Sequence, residues 1–267
     1  MSQAALLERL TGEAHVWLLA VPERALSGAT EDELKGILDP EERERAQTFR
    51  SLSDRQHFIL AHAFLRKTLS RYAPRVAPAA WSYAIGPYGR PELAGPAAAC
   101  GAGGGPRLRF NLSHTRGLVA CSVTEGGECG VDVERRDRTR NFLGMARTAF
   151  APSERAQLER LPAEQRQARF YQIWTLKEAY IKLIGMGLSQ RLDHFDFDLS
   201  DLPAIKFTPP PSREPRGWRF VLDTPTPEHQ LALAVDGALK RVVLFSAEAR
   251  GEDLAGLHPL AERRLVI

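Results

Sequence analysis

One order of elements occurs twice along this chain, and any fold must accommodate both copies. In the first half a long helix, Asp54–Tyr72, precedes strands at Trp81–Ile85, Leu108–Leu112 and Leu118–Thr124. In the second half a long helix, Glu164–Ile184, precedes strands at Phe195–Leu199, Trp218–Leu222 and Leu231–Val235. The closing strand pairs echo in residues as well, with Arg109-Phe110-Asn111-Leu112 matched by Arg219-Phe220-Val221-Leu222. The first helix is read from Phe58, Ala61, Leu65, Leu69 and Tyr72, which recur at spacings of three and four. The fold class this predicts is α/β in an α+β arrangement. Two similar halves, 1–126 and 127–267, each pack a small antiparallel sheet against a long helix about a pseudo-twofold. Glu125-Gly126-Gly127 supplies the turn at the boundary. A cleft between domains is a favoured place for a ligand.

The flanking segments fit this frame. His15–Val21 reads as a buried strand, and Thr30-Glu31-Asp32-Glu33 as a capping box that opens a short helix. Asp39-Pro40-Glu41-Glu42 opens another, with Asp at the N-cap and Pro in the first turn. Pro152-Ser153-Glu154 starts a third. The connection between the two strands of the first half is read as a loop, Ser113–Gly117. Ala94–Pro106 is almost all Ala, Gly and Pro, and reads as a loop. A last strand, Arg241–Ser246, leads into a polar tail expected to pack back on the first half.

Composition removes several classes. Net charge is only +3, which does not suggest a dedicated nucleic-acid binder. Cys100, Cys121 and Cys129 are odd in number and lack C-x-x-C spacing, which argues against a disulfide framework and a zinc site. No apolar run reaches the length of a membrane span. A soluble, cytoplasmic, monomeric chain is expected, because the fused repeat completes the cleft without a second copy.

The chemistry concentrates in Gly130-Val131-Asp132-Val133-Glu134. Alternation of period two sends Val131 and Val133 to a core and Asp132 and Glu134 together to the other face. Either these are two ordinary acids on a solvated face, or a cation sits between them. Along the second long helix, Tyr171, Thr175, Glu178 and Lys182 fall opposite the main apolar side. Glu178 and Lys182 can pair with each other at i,i+4. Lys177 falls among the apolar positions, where it either snorkels or meets an anion. Glu178 brought to Asp132 and Glu134 would make an all-oxygen site, suited to Mg²⁺ rather than Zn²⁺. Arg90 and His114 can add positive charge or hydrogen bonds, and cations around a metal are the layout of phosphoryl-group chemistry.

Four segments in order, Tyr88-Gly-Arg-Pro91, Phe110-Asn-Leu-Ser-His114, Gly130-Val-Asp-Val-Glu134 and Trp174-Thr-Leu-Lys-Glu-Ala-Tyr-Ile-Lys182, resemble the 4′-phosphopantetheinyl transferases. The resemblance is to the large type, in which two halves are fused. It implies an enzyme that moves phosphopantetheine from coenzyme A to a serine of an acyl or peptidyl carrier protein, releasing adenosine 3′,5′-bisphosphate. It implies Mg²⁺, or Mn²⁺, held by Asp132, Glu134 and Glu178, with Lys182 neutralising the phosphate under attack. Arg90, Ser113, His114 and Lys177 would bind the nucleotide and its phosphates, and Arg45 the 3′-phosphate, while Glu42 stands where some members have a lysine. The base for the carrier serine is Glu178 or a metal-bound water. An acidic carrier would dock on Arg140, Phe142, Leu143, Met145 and Arg147; the same segment also reads as a packed helix. The other readings are a catalytically inactive coenzyme A- or nucleotide-binding protein of this fold, and a nonenzymatic carrier-binding partner.

Overall fold

The computed structural model of the chain describes residues 3–21, 25–95, 107–137, 141–213, 216–248 and 261–266. Positions 96–106 of the Ala/Gly/Pro loop lie outside the described residues, as does Arg140.

The first half contains β1 (Glu13–Ala20), α2 (Gly28–Ile37), α3 (Pro40–Thr48), α4 (Leu52–Tyr72), β2 (Ser82–Ile85), β3 (Pro91–Ala94), β4 (Leu108–Thr115) and β5 (Leu118–Glu125), after an opening α1 (Gln3–Leu10). The second repeats that order: β6 (Cys129–Arg135), α5 (Phe142–Ala149), α6 (Pro152–Arg160), α7 (Ala163–Ile184), β7 (Asp196–Asp198), β8 (Lys206–Thr208), β9 (Arg219–Thr226) and β10 (His229–Val235). In each half the last strand lies in the middle: the sheets run β1-β5-β4 and β6-β10-β9, antiparallel throughout. The small hairpin sheets β2-β3 and β7-β8 are also equivalent.

The chain closes by extending the first sheet. β11 (Arg241–Glu248) pairs in parallel with β1, and β12 (Ala261–Val266) pairs with β11. The polar tail of the sequence reading is therefore in part a strand. Its pattern Ala-Glu-Arg-Arg-Leu-Val is charged because it forms the sheet edge, where charge discourages further pairing.

Alternation along the strands builds three cores. Trp17 and Leu19 face α1–α4, while Ala14, Val16 and Leu18 face the second sheet. Val131 and Val133 join this middle layer, and Ala232 and Ala234 face α7. The layers are thus helices, sheet, sheet, helices. Both faces of each sheet are covered, which is why β1 and β10 read as continuous apolar runs. α7 is buried on two sides for the same reason. Tyr171 and Thr175, placed by the helical wheel opposite the apolar side, are fully buried.

One cap and one turn correct the sequence reading, and a second cap matches it. α2 starts at Gly28, with Ser27 rather than Thr30 as N-cap. The β4–β5 turn is only Arg116-Gly117, so Ser113 and His114 belong to a strand. α3 has the reciprocal box: Asp39 Oδ1 accepts Glu42 N–H, and Glu42 Oε2 accepts Asp39 N–H.

Gly130 fixes how closely β6 approaches α7. A Cβ there would lie 2.1 Å from Ala179 O and 2.4 Å from Leu183 N, both backbone atoms. Gly130→Ala must push strand and helix apart, and should lower stability by about 3 kcal/mol, near the upper end for overpacking. Urea unfolding of the variant measures it, and an unchanged midpoint would show that the layers yield.

A buried histidine gives the fold an acid limit. Trp17 Nε1–H donates to the Tyr72 hydroxyl (2.7 Å), so the hydroxyl proton goes to His15 Nδ1 (2.8 Å) and His15 Nε2–H donates to Glu13 (3.2 Å). Burial pushes the His15 pKa from 6.5 down to about 4, with Glu13 opposing. The unfolded ring therefore takes up its proton first as pH falls. This contribution is complete above pH 6.5 and is lost towards pH 4, about 2–3 kcal/mol in all. His15→Gln should show a shallower decline of urea midpoint over that window than the parent chain; equal slopes would exclude His15 as the cause.

Candidate active site

Because Val131 and Val133 point into the middle core, Asp132 and Glu134 face α7. Asp132 is buried, and its Oδ1 accepts two bonds, from Ser113 Oγ (3.0 Å) and Lys182 Nζ (2.7 Å). Its Oδ2 is buried and has no hydrogen-bond partner. The Lys182 ammonium also donates to Ser113 Oγ (2.9 Å) and Val131 O (3.1 Å), so its three protons are all engaged. None goes to Glu178, although the i,i+4 spacing permits it. The Ser113 hydroxyl gives its proton to Asp132 and accepts from Lys182 and Val133 N–H. One strand residue, one acid and one helix cation thus form a closed triangle at the junction of the two halves.

Glu178 stands beside this triangle, half-buried. Burial, and then the Asp132 charge, hold its carboxyl above the usual range; Lys182 opposes. Glu134 is half-buried and lines a cavity of about 780 Å³ where β4 and β6 end, together with Thr115, Arg116 and Asp137. Among the described residues, no three His, Cys, Asp or Glu side chains are assembled around a metal position. The donor set nevertheless suits a hard cation. An unpartnered buried carboxylate oxygen and a second carboxyl raised by the first both gain from positive charge placed between them.

The separate sequence segments converge. The Tyr88–Pro91 turn, Asn111 and Leu112 of β4, and Glu178, Ile181 and Lys182 of α7 line one cleft of about 270 Å³. Arg90 reaches this cleft but is already bonded, to Leu183 O at 2.9 Å and to Glu128. The sequence does not single out Glu128, since an acid beside a turn carries no signal. His114 sits with its ring 5.0 Å from that of His57. Burial, with His57, His62 and Lys182 nearby, pushes its pKa down to about 4. The ring stays partly open to water, which moderates that shift. Arg45 is exposed on α3, and no bond ties it to the Asp132 triangle.

Lys177 is placed elsewhere. It is fully buried and donates to Glu154 (2.8 Å), Leu192 O (2.7 Å) and Phe195 O (2.6 Å). With all three protons used inside the core, it offers nothing to a nucleotide phosphate. The reason lies on α6: Glu154 is the buried carboxylate that its apolar position required. Glu42 is likewise structural, bound to Arg66 (2.8 Å) and His62 (2.8 Å).

Two carboxylates, a lysine and a serine thus stand together beside a cleft. Residues 128–235 match the 4′-phosphopantetheinyl transferase superfamily model. The chain is 30% identical to 4′-phosphopantetheinyl transferase HetI of Nostoc sp. (strain PCC 7120), over 86% of this chain and 91% of that one. It is 31% identical to a phosphopantetheinyl transferase of Thraustochytrium sp., over 82% and 77%. It is 29% identical to a 4′-phosphopantetheinyl transferase of Bacillus subtilis, over 72% and 80%. The chain belongs to the 4′-phosphopantetheinyl transferases.

Proposed function

We propose that this chain transfers the 4′-phosphopantetheine arm of coenzyme A to a serine of an apo carrier protein through the Asp132–Ser113–Lys182 triangle and Glu178. The observation that carries this reading is the junction itself, where β4, β6 and α7 each contribute one member. In the reaction the serine oxygen attacks the phosphorus that bears the pantetheine. A new P–O bond forms, the pyrophosphate P–O bond breaks, and adenosine 3′,5′-bisphosphate leaves.

Each residue has a task that follows from its surroundings. Lys182 carries the charge that balances the phosphate, and reaches it by giving up one of its three present bonds. Glu178, its pKa raised by burial and by Asp132, is the group suited to take the serine proton. Asp132 and Glu178 would hold Mg²⁺, with Glu134 further along the same strand face; the ion would polarise the phosphoryl oxygens. Arg90, Ser113 and His114 border the place for the nucleotide, and Arg45 lies further out on α3. The 1–126 and 127–267 halves act as one unit, because the site takes members from both.

The carrier is proposed to meet α5. Leu143 is 43% exposed and Arg147 is exposed beside it, an apolar anchor with a steering charge. Phe142 and Met145 are half-buried, and Phe142 packs 5.7 Å from the Phe170 ring. They support this face more than they extend it. Incubation with an apo carrier protein, coenzyme A and Mg²⁺, followed by mass spectrometry of the carrier, tests the reaction. Gain of one phosphopantetheine arm is expected. No gain with fatty-acid, polyketide and peptide carriers would leave only a binding protein. Among the described residues no helix is long and apolar enough to cross a membrane.

A further inference from the structure

β4 and β6 belong to different sheets, yet lie side by side where the halves meet. Their contact is made by side chains reaching backbone. Asn111 Oδ1 accepts Val131 N–H (3.0 Å), Ser113 Oγ accepts Val133 N–H (3.2 Å), and Thr115 Oγ1 accepts Arg135 N–H (3.3 Å). Every second residue of β4 meets every second amide of β6, and both numbers rise together, so the strands run in the same direction. Val131 and Val133 are buried, so their amides need these partners.

The middle rung is the active-site serine, and the strand it holds carries Asp132 between the first two amides and Glu134 between the last two. A slip of β6 along β4 would carry Asp132, and Lys182 of α7 packed on β6, past Ser113. We propose that Asn111 and Thr115, the outer rungs, are positioning residues for phosphopantetheine transfer: they fix the register of β6 on β4 and so the place of Ser113 beside Asp132 and Lys182. This rests on the transfer reaction proposed above. Neither outer residue need touch the reacting atoms. Their effect is on geometry, and a small misplacement of reacting groups is costly in rate.

The test reads ladder and rate separately. Thr115→Val keeps the shape and removes the acceptor; Thr115→Ser restores it. Amide hydrogen exchange of the full chain should quicken at Arg135 in Thr115→Val and return to the parent rate in Thr115→Ser. In the same pair, kcat should fall about tenfold, with KM for coenzyme A within about twofold, and then recover. Asn111→Ala should quicken exchange at Val131, while Asn111→Asp, which keeps an acceptor oxygen, should retain protection there. Thermal unfolding confirms that each variant compared is folded. Faster exchange with parental kcat would make the rungs structural only, and unchanged exchange would remove the ladder. A rise confined to KM would make Thr115 a contact rather than a positioning residue. A parent chain that modifies no carrier would overturn the functional reading and this proposal with it, while exchange would still report the ladder.

Discussion

Asp132→Ala should lower phosphopantetheine transfer by a factor of about 10² to 10³, the usual loss when an electrostatic stabiliser of a transition state is removed. The fold should survive. Asp132 has two neighbours that it satisfies, Ser113 and Lys182, and one that it burdens, Glu178, whose pKa it raises. The Lys182 side chain keeps 27% of its surface open to water, so its ammonium is not stranded when the acid goes. Loss of the charge at Asp132 should also let the Glu178 carboxyl ionise at lower pH. The acid limb of the rate profile, measured on the residual activity, should then shift downward. Unchanged turnover in Asp132→Ala would remove the acid from the mechanism. Equal loss of turnover and of melting temperature would make it a structural residue.

The doubled architecture also shows what stands in the first half at the place of the Asp132–Lys182 pair. Trp17 pairs with Cys121, the fourth residue of β5, and Asp132 pairs with Ala232, the fourth residue of β10. The two stand at the same place in their halves. Arg71 and Lys182 are each the twentieth residue of their long helix. Arg71 lies 4.7 Å over the Trp17 ring, as Lys182 lies 2.7 Å from Asp132. The cation is common to both halves, and its partner differs. In the first half an indole, packed against Phe245 at 4.5 Å within the core, stands where the second half has an acid.

Much of this was legible in the sequence because it is local. Helix caps, period-two alternation at Val131–Glu134 and the repeated order of elements depend on residues near one another in the chain. Non-local pairings were not legible. The parallel partnership of β1 with β11 joins the two ends of the chain, and nothing in either strand names the other. Lys177 was misplaced for the same reason: its apolar surroundings marked it as unusual, but its partner Glu154 is on another helix. Ser113 and His114 were assigned to a loop because the turn Arg116-Gly117 is only two residues long. Asn111, Ser113 and Thr115 did leave a signal, small polar residues at every second position of a buried strand. A hydrophobicity reading passes over it.

The Glu154–Lys177 pair should give the largest stability effect in the chain. Its counterpart in the first half is Glu42 with Arg66. Each carboxylate is the third residue of a helix that begins with Pro, and accepts the N–H of the residue before that Pro. Each cation is the fifteenth residue of its long helix, and donates to carbonyls beyond that helix's end: Pro78 and Trp81 for Arg66, Leu192 and Phe195 for Lys177. The device ties three elements together in both halves, but the environments differ. Glu42 stays below the usual carboxylate range, chiefly through His62 against the cost of burial, with Arg66 adding to it. Glu154 has no such help, and burial raises its pKa to about 7 despite Lys177, whose own pKa burial lowers. Both members of the second pair are fully buried, so removing either strands the other. Glu154→Leu or Lys177→Met alone should each cost about 3–5 kcal/mol, while the double variant should recover most of that loss, because an apolar pair of similar volume leaves no unpaired charge. Calorimetric melting of the four chains measures the cycle. If the double variant melts no higher than the singles, the hydrogen bonds to Ala151, Phe197, Leu192 and Phe195, rather than the ion pair, hold these elements together.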